Sequence, residues 1–474
     1  MVSRPEFEVG HARRAEATRD DAHPTRRAVL ARGAVAVCVI GGLGACGARP
    51  APVVTPVARR TIETPIARML ADGSDLVVGG ETLDGAALRQ FYALRQFQPV
   101  WSTRQAKADD LAALVLRAGD HGLDPDMFRA GLLRRREGMQ PLHRELLLTD
   151  AVLAYAGALA HGAVPADKRT NAEAMAPAPV DLAAVLDEAI DGADPAGVIE
   201  ALAPQTPTYL GLRLAMRGGA WRMARLPRQR SAAVAAVAAA QRQRSIEANL
   251  ERERWLPRDL PADRVWVNVP DQQLVLYRDH RPAFTTSVVV GDNAERNQTP
   301  EFHTLIEASF FNPPWVIPRD IVTAEILPRL VREPDYLARN NMVMRANGEV
   351  EQSAGPEAGL GFVLFDMPNR FDVYLHDTPD RFVFSRSNRR MSRGCIRVQN
   401  PRELAALLME QPIEEIDRMI ATGSTTRARL PAPMPVFLTY RTAFVDTEGA
   451  MQFRADFYER DASVWRRLRK QPVA

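Results

Sequence analysis

The sequence predicts a multidomain α+β protein, in which a helical half is followed by a small β-rich sandwich or barrel. Its 474 residues leave room for two to three folded units. Apolar residues recur at helical spacing as far as Trp255, and the pattern switches to strict alternation after Pro261. The hydrophobic content of 46% and the charged content of 25% are ordinary for globular domains.

Residues 1–48 are expected to be an export leader. The pair Arg26-Arg27 resembles a twin-arginine export signal, although Val29 stands where a phenylalanine is usual, which leaves the export route open. The uncharged run Gly33–Ala45 has 13 residues. A membrane-spanning helix needs about 20 residues, so this run fits the apolar region of a signal peptide better than an anchor.

The end of the leader predicts a lipid anchor. Leu43–Cys46 resembles a lipobox, in which Cys46 would receive the lipid and become the new N-terminus. The alternative is ordinary cleavage near Ala48. Either route places the protein in the periplasm or elsewhere in the cell envelope, and residues 49–65, which are rich in proline, are expected to be a linker.

Residues 66–255 are expected to form a helical scaffold domain that carries no chemistry. His121 and His161 each precede a glycine at a helix end, so we interpret both as C-terminal caps favoured by the helix dipole. The predicted helices are Leu83–Phe97, Leu111–Ala118, Asp150–Leu159 with Thr149 as its N-cap, an alanine-rich segment over Pro177–Ala203, Tyr209–Met216 and Arg228–Trp255.

Residues 256–445 are expected to form a β-rich domain, with a C-terminal extension over 446–474. The predicted strands are Val265–Val269, Gln273–Arg278, Phe284–Val290, Thr304–Phe310, Phe371–His376 and Cys395–Val398. Helical material over 319–345 interrupts them. Such an insertion is either a lid over a substrate or a packing elaboration, and the sequence leaves both readings open.

The candidate active site is a cysteine with a histidine. Cys395 is the only cysteine outside the leader, and His376 lies 19 positions before it. A cysteine nucleophile needs a base within hydrogen-bond reach, which a histidine supplies. A structural histidine near an inert buried thiol is the competing interpretation.

Strand alternation predicts which side chains meet. Tyr374 and His376 share one face of their strand, and Cys395 shares a face with Arg397. On neighbouring strands, these four groups converge into a plausible acyl-transfer site. The N–H groups of Gly394 and Cys395 can then bind the developing oxyanion, and Arg397 can hold a carboxylate.

Other classes of ligand are not expected. No pair of histidines or cysteines has the spacing of a metal site, and nothing indicates a nucleotide cofactor. The net charge of +3 is too small to indicate nucleic acid binding. The oligomeric state is left open.

The segment that contains these residues also resembles a known signature. His376-Asp-Thr-Pro379, followed by Ser392-x-Gly-Cys-Ile-Arg-Val398, resembles the catalytic signature of L,D-transpeptidases with a YkuD-type domain, and most closely the large YcbB-type branch. Further matching segments are Phe91–Trp101, His121–Pro125, Leu148–Ala151, Asn249–Arg252, Thr299-Pro300, Asn312–Pro318 and Tyr440-x-Thr442.

The resemblance implies a fold, an activity and a set of roles. The β-rich domain would be a YkuD-like catalytic domain with a capping insertion over 316–360. It would join stem peptides of peptidoglycan through a thioester, without a cofactor, and carbapenems would acylate its cysteine. The implied residues are Cys395 as nucleophile, His376 as base, a backbone carbonyl near Asp377 that orients the imidazole, and Tyr374, Ser392, Arg397 and Trp315 in substrate binding.

Three positions depart from the pattern of the family. Ala358 and Leu364 stand where asparagine and lysine are usual, and Arg393 stands where many relatives have a second histidine. The family's usual peptidoglycan-binding module is not visible between Trp221 and Glu251. An L,D-carboxypeptidase and a wall-associated lipoprotein with a decayed site therefore stay as alternatives to the transpeptidase.

Overall fold

The computed structural model describes residues 64–71, 76–217 and 232–470. The predicted leader, including Cys46, and nearly all of the predicted linker lie outside these ranges. No helix within them is both long and apolar enough to cross a bilayer.

The first half of the described chain is helical, as predicted. One short hairpin, of β1 (Leu76–Val78) and β2 (Glu81–Leu83), precedes most of the helices. The helices are α1 (Pro65–Ala71), α2 (Gly85–Leu94), α3 (Gln105–Leu116), α4 (Ala130–Leu133), α5 (Pro141–His161), α6 (Leu182–Asp191), α7 (Pro195–Glu200), α8 (Pro207–Met216) and α9 (Ala232–Arg254).

The prediction that Thr149 caps a helix is wrong. Thr149 lies in the middle of α5, which begins eight residues earlier at Pro141, and it is fully buried. Its hydroxyl donates to the Glu145 carbonyl at 3.0 Å and accepts from Trp101 Nε1 at 2.9 Å. The hydroxyl therefore serves tertiary packing rather than a helix terminus.

His121 and His161 each end a helix and precede a glycine C-cap, as predicted, but the helix dipole does not favour a charge on either ring. Burial, followed by nearby arginines, lowers the pKa of His121 to about 2, and the same causes lower the pKa of His161. Both rings are therefore neutral near pH 7 and have no charge to offer a helix dipole. His121 Nδ1 instead lies 2.7 Å from the Tyr209 hydroxyl, and His161 Nε2 accepts from Val180 N at 3.1 Å.

The second half is built on a nine-stranded sheet with the order β12-β5-β13-β11-β10-β6-β14-β3-β4. An additional pairing of β4 with β5 closes eight of these strands into a barrel. The strands are β3 (Arg264–Asn268), β4 (Gln273–Arg278), β5 (Arg281–Gly291), β6 (Phe302–Phe311), β10 (Val363–Asp366), β11 (Leu375–His376), β12 (Arg390–Ser392), β13 (Ile396–Val398) and β14 (Thr426–Thr439); β7, β8 and β9 belong to the insertion described below.

The two faces of this sheet have different neighbours. One face forms an apolar core with helices α13 (Pro401–Met409) and α14 (Ile413–Ala421). On the opposite face, Trp266 and Phe437 stack at 5.3 Å and join the core of the helical half. The same opposite face, at the strands β13, β11 and β10, carries the predicted catalytic residues.

The insertion forms a small unit with its own core, made by Ile317, Val322, Ile326 and Val350. A three-stranded sheet in the order β7-β9-β8 accompanies the helices, so the prediction of helical material is confirmed in part. Its elements are β7 (Trp315–Ile317), α10 (Arg319–Ile321), a π-helical turn (Val322–Ile326), α11 (Leu327–Arg332), α12 (Tyr336–Arg339), β8 (Met342–Met344) and β9 (Val350–Gln352).

The C-terminal segment returns to the helical half. A hairpin of β15 (Ala443–Val445) and β16 (Met451–Phe453) packs on α8, and α15 (Arg460–Lys470) packs along α9. Arg252 of α9 pairs with Asp461 at 2.5 Å, and both side chains are buried. Loss of one partner would leave a buried charge alone, so this pair ties the C-terminal helix α15 to α9.

Candidate active site

The strands that carry His376 and Cys395 are neighbours, which meets the condition for the four groups to converge. β11 and β13 pair in parallel, with Leu375 opposite Ile396 and His376 opposite Arg397. Leu375 and Ile396 are fully buried in the core. Because side chains alternate along a strand, His376, Arg397 and Cys395 project from the opposite face, and Cys395 lies diagonally across from His376.

The predicted strand Phe371–His376 is regular only over its last two residues. Asp372 has a φ of 52°, which is left-handed and cannot continue a strand. Asn369 organises the turn, because its Oδ1 accepts from Phe371 N at 2.9 Å and its Nδ2 donates to Val373 O at 2.8 Å. The turn brings the Asp372 carbonyl to 3.7 Å from Cys395 Sγ, which donates to it.

A backbone carbonyl orients the imidazole of His376. The Asp377 carbonyl oxygen lies 2.6 Å from Nδ1, so Nδ1 carries the proton of the neutral ring. This is the arrangement that the resemblance implied. The backbone of Leu360 also forms a hydrogen bond with the ring. The ring is buried, with 5% exposure, and its tautomer fits a general base at Nε2.

The cysteine and the histidine are both neutral at rest. Burial, followed by the charge of Arg397, lowers the pKa of His376 to about 4. Burial raises the pKa of the Cys395 thiol, while a backbone hydrogen bond from Tyr374 and the charge of Arg397 partly oppose the rise. The thiol keeps partial access to solvent. The pair is therefore a thiol and an imidazole rather than a preformed ion pair, and the proton moves when a carbonyl is attacked.

The loop before Cys395 is fixed by its own hydrogen bonds. Ser392 Oγ donates to the Cys395 carbonyl at 2.6 Å and accepts from Gly394 N at 3.2 Å. Ser392 is buried and has this structural role, and its contact with substrate stays a prediction. The Gly394 N–H is occupied by the hydrogen bond to Ser392 Oγ, and its part in an oxyanion hole stays a prediction.

Cys395 N is left as the backbone donor at the nucleophile. Among the described residues, no acceptor is bonded to it. Gly394 has a φ of 107°, which a residue with a side chain rarely adopts. The glycine thus lets the chain turn so that the Cys395 N–H and the thiol lie at the same surface.

Two residues that sequence reasoning did not assign support this loop from behind. Thr299 Oγ1 donates to the Gly394 carbonyl at 2.8 Å and accepts from Gly291 N at 3.0 Å. The Tyr458 hydroxyl donates to Gly291 O at 2.5 Å and accepts from Thr299 N at 3.3 Å. Both lie far from Cys395 in sequence, and the one signal for Thr299 was its place in a segment that resembles the family.

The Asp377 carboxylate holds the end of the insertion against the histidine. It accepts from Phe362 N at 2.9 Å and pairs with Arg381 at 3.0 Å. A Cβ on Gly361, whose φ is 62°, would lie 2.5 Å from Asp377 Cγ. Glycine is therefore required where the insertion rejoins the barrel.

The other residues predicted to contact substrate are Arg397, Tyr374 and Trp315, which differ in exposure and in the groups they contact. Arg397 pairs with Asp380 at 3.3 Å and is a quarter exposed. Tyr374 is half-buried, and burial, followed by the charge of Asp372, raises its pKa. Trp315 belongs to the insertion, where its ring covers Gly359.

The departures from the family pattern fall around the catalytic pair. Leu364 lies opposite His376 in the β10–β11 pairing, on the same face, so an apolar side chain flanks the imidazole. Ala358 is buried in the insertion. Arg393, two residues before Cys395, forms an ion pair with Glu325 of the π-helical turn and approaches Asp320 at 4.0 Å. The nucleophile loop and the insertion are therefore in direct contact.

The described residues contain no group of three or more His, Cys, Asp and Glu side chains arranged to hold a metal ion. What the site does hold is a thiol, a correctly tautomerised imidazole, a free backbone donor and a guanidinium. This set suits attack on an acyl carbonyl.

Comparison with known protein families agrees with this chemistry. Residues 262–425 match the YkuD family, described as the L,D-transpeptidase catalytic domain, and residues 86–216 match a family described as the scaffold domain. The chain therefore carries a helical scaffold domain followed, along the sequence, by a YkuD-type L,D-transpeptidase catalytic domain.

Individual relatives are more distant. A Haemophilus influenzae protein named "Putative L,D-transpeptidase" is 31% identical over 223 residues, which span 42% of this chain and 45% of that protein. A solved L,D-transpeptidase from Mycobacterium smegmatis is 13% identical, with 38% of this chain and 58% of the other covered and a TM-score of 0.21. A solved Enterococcus faecium L,D-transpeptidase mutant is 11% identical, with 38% of this chain and 50% of the other covered and a TM-score of 0.18.

Proposed function

We propose that this protein is a peptidoglycan L,D-transpeptidase that forms 3–3 cross-links through a thioester on Cys395. The observation that carries the proposal is the pairing of β11 with β13. It sets Cys395 diagonally across from His376 on one face of the sheet, and Nδ1 of that histidine is tied to the Asp377 carbonyl. The matched catalytic domain supports the same reaction class.

The first half of the proposed reaction is acylation. Cys395 Sγ attacks the carbonyl of the diamino acid at position 3 of a tetrapeptide stem, and its proton passes to His376 Nε2. The oxyanion that forms accepts from Cys395 N–H. Collapse breaks the C–N bond, and the imidazolium gives its proton to the leaving amine, which releases D-Ala.

The second half transfers the acyl group. The side-chain amine of a second stem attacks the thioester, and His376 takes up the proton that the amine loses. Collapse breaks the C–S bond, and the sulfur leaves as a thiol once His376 returns the proton. The products are a new amide bond between two stems and the resting enzyme.

Intact mass measurement tests the nucleophile. The mature chain incubated with a carbapenem should gain the mass of one inhibitor, and Cys395→Ala should gain none. Cys395→Ala leaves the fold intact if its thermal unfolding midpoint matches that of the unsubstituted protein. Absence of an adduct on the unsubstituted protein would sink the proposed mechanism.

Incubation with tetrapeptide muropeptides separates the proposed enzyme from the L,D-carboxypeptidase. A 3–3 linked dimer indicates transfer to an amine, whereas a tripeptide monomer alone indicates transfer to water. Leu364, an apolar neighbour of His376, bears on this choice, because it keeps one side of the imidazole free of a polar group that could hold a water molecule.

The site of action is proposed to be the periplasm or cell envelope, with an anchor on Cys46. The basis is the apolar run Gly33–Ala45 and the short motif that ends in Cys46. Cys46→Ala should move the protein from the membrane fraction to the soluble fraction of cells. If it stays with the membranes, the lipid anchor is refuted while the enzyme proposal is untouched.

A further inference from the structure

The segment between the catalytic histidine and the catalytic cysteine concentrates positive charge. Residues 380–397 contain six arginines and one aspartate, in a chain whose net charge is only +3. The segment runs from the end of β11 to β13, so its charge lies at the rim of the active site. Such a concentration favours an anionic partner.

Not all of these arginines are neutralised by the protein. Arg381, Arg393 and Arg397 pair with carboxylates. Among the residues that the structure describes, Arg386 and Arg390 form no ion pair. Arg390 stacks on Phe457 at 4.6 Å and donates to the amide oxygens of Asn388 and Asn293, contacts that position the guanidinium without cancelling its charge.

An exposed aromatic ring lies between these charges. Phe382 is 60% exposed, and the Arg386 guanidinium lies over its ring at 5.2 Å. The 3₁₀ turn Arg381–Ser385 that presents the ring is anchored by Val383, which is buried, and by a hydrogen bond from Ser385 Oγ to Phe382 O at 2.8 Å. A rigid exposed ring with an adjacent cation costs little entropy when a partner binds.

The surface connects directly to the catalytic base. Arg381 Nη1 lies 3.0 Å from Asp377 Oδ1, and the carbonyl of the same Asp377 lies 2.6 Å from His376 Nδ1. The rim and the catalytic base therefore share Asp377, and a polymer that extends from Cys395 toward Arg381 would cross the rim. The carboxylates of such a polymer would complement the positive charges of Arg386 and Arg390, and its peptide or sugar faces would pack on the ring of Phe382.

We propose that Phe382, Arg386 and Arg390 form a docking surface for a carboxylate-bearing strand of peptidoglycan that continues beyond the stem held at Cys395. The inference rests on the proposed function, because that function supplies the polymer. The surface raises the local concentration of stems near the nucleophile, and it contributes to binding rather than to the chemical step.

Co-sedimentation with purified, insoluble peptidoglycan tests the surface without catalysis. All proteins carry Cys395→Ala, so that no acyl-enzyme can form. Phe382→Ala and Arg386→Glu should each weaken binding about threefold to tenfold, the range expected for loss of one well-placed contact. Binding should also weaken as salt is raised, since the charges are exposed.

Two matched variants control for general effects. Leu407→Ala removes an exposed apolar side chain from α13, and Arg466→Glu reverses an exposed arginine of α15 that has no ion pair among the described residues. Both should bind as the parent does. Equal binding by all variants, equal loss in the controls, or no binding by the parent would overturn the proposal.

Two further measurements separate the outcomes. With Cys395 present, Phe382→Ala and Arg386→Glu should react with a carbapenem at the parent rate, because that small molecule does not reach the rim. Failure of the parent to react speaks against the proposed function, not against the surface. Variants that lose binding to vesicles of anionic phospholipid, yet keep binding to peptidoglycan, would show that the partner is a membrane and overturn the assignment.

Discussion

Thr299 is expected to position the nucleophile although it does not touch substrate. The Thr299→Val substitution keeps the shape of the side chain and removes its hydroxyl. The Gly394 carbonyl at 2.8 Å and the Gly291 N–H at 3.0 Å then lose their partner. Since the site is fully buried, water does not replace the hydroxyl at either group.

The magnitude follows from those two contacts. A buried polar group left unpaired costs about 1–3 kcal/mol, so the loss of both contacts should lower the free energy of unfolding by about 2–6 kcal/mol. Movement of Gly394 would relieve part of that cost and displace Cys395. If the displacement raises the barrier to acylation by about 1–2 kcal/mol, the acylation rate constant should fall about five- to thirtyfold, because 1.36 kcal/mol corresponds to tenfold.

The assay is the rate of carbapenem acylation of Cys395, followed by intact mass, beside urea unfolding. Thr299→Ser restores the hydroxyl and should recover most of the rate. Thr439→Val is the matched control, because its buried hydroxyl also binds a backbone carbonyl, that of Val267 at 3.0 Å, but far from the loop. Equal slowing by Thr439→Val and Thr299→Val would refute a positioning role for Thr299.

Three further results are expected. The acylation rate should be level between about pH 5 and about pH 8, because His376, with a pKa of about 4, is already a neutral base there and burial raises the pKa of the Cys395 thiol; an inflection near 6.5 would contradict this. Gly361→Ala should cost at least about 2 kcal/mol in urea unfolding and slow acylation, because the new Cβ meets Asp377 Cγ at 2.5 Å and φ is 62°; unchanged stability would show that the contact relaxes freely. The pKa of His121 is about 2 in the folded protein and 6.5 in the unfolded chain, so a falling pH protonates the unfolded chain first and favours unfolding. The stabilising effect of the neutral ring is therefore complete above pH 6.5 and is lost as the pH falls toward 2. In urea titrations, the free energy of unfolding should therefore fall by about 1.4 kcal/mol per pH unit below pH 6.5 because of this group, and His121→Gln should flatten that dependence.

The sequence by itself determined the two halves of the fold and the candidate catalytic pair. Hydrophobic periodicity is a local property, so the helices α2 and α8 and the strand β4 fall where it predicts them. The cysteine and histidine were identifiable because the chemistry needs those residue types together, and the alternation of Ile396 and Val398 with Cys395 and Arg397 fixed which face they share.

Local patterns misled where a side chain had a distant partner. Thr149 has the composition of a cap, yet its hydroxyl serves Glu145 and Trp101 inside a longer helix. The run Phe371–His376 alternates like a strand, yet a left-handed Asp372 breaks it. In both cases the outcome depends on hydrogen bonds that periodicity does not encode.

Tertiary structure alone decided how the nucleophile is held and which backbone donor it has. Thr299 and Tyr458 meet Gly394 and Gly291 only after the barrel closes, because the residues are separated by up to 167 positions in the chain. The neutral state of the thiol and imidazole also follows from burial, which depends on tertiary packing and not on the type of residue. Residue chemistry sets what the site can do, and the surrounding fold sets the geometry and the protonation in which it does so.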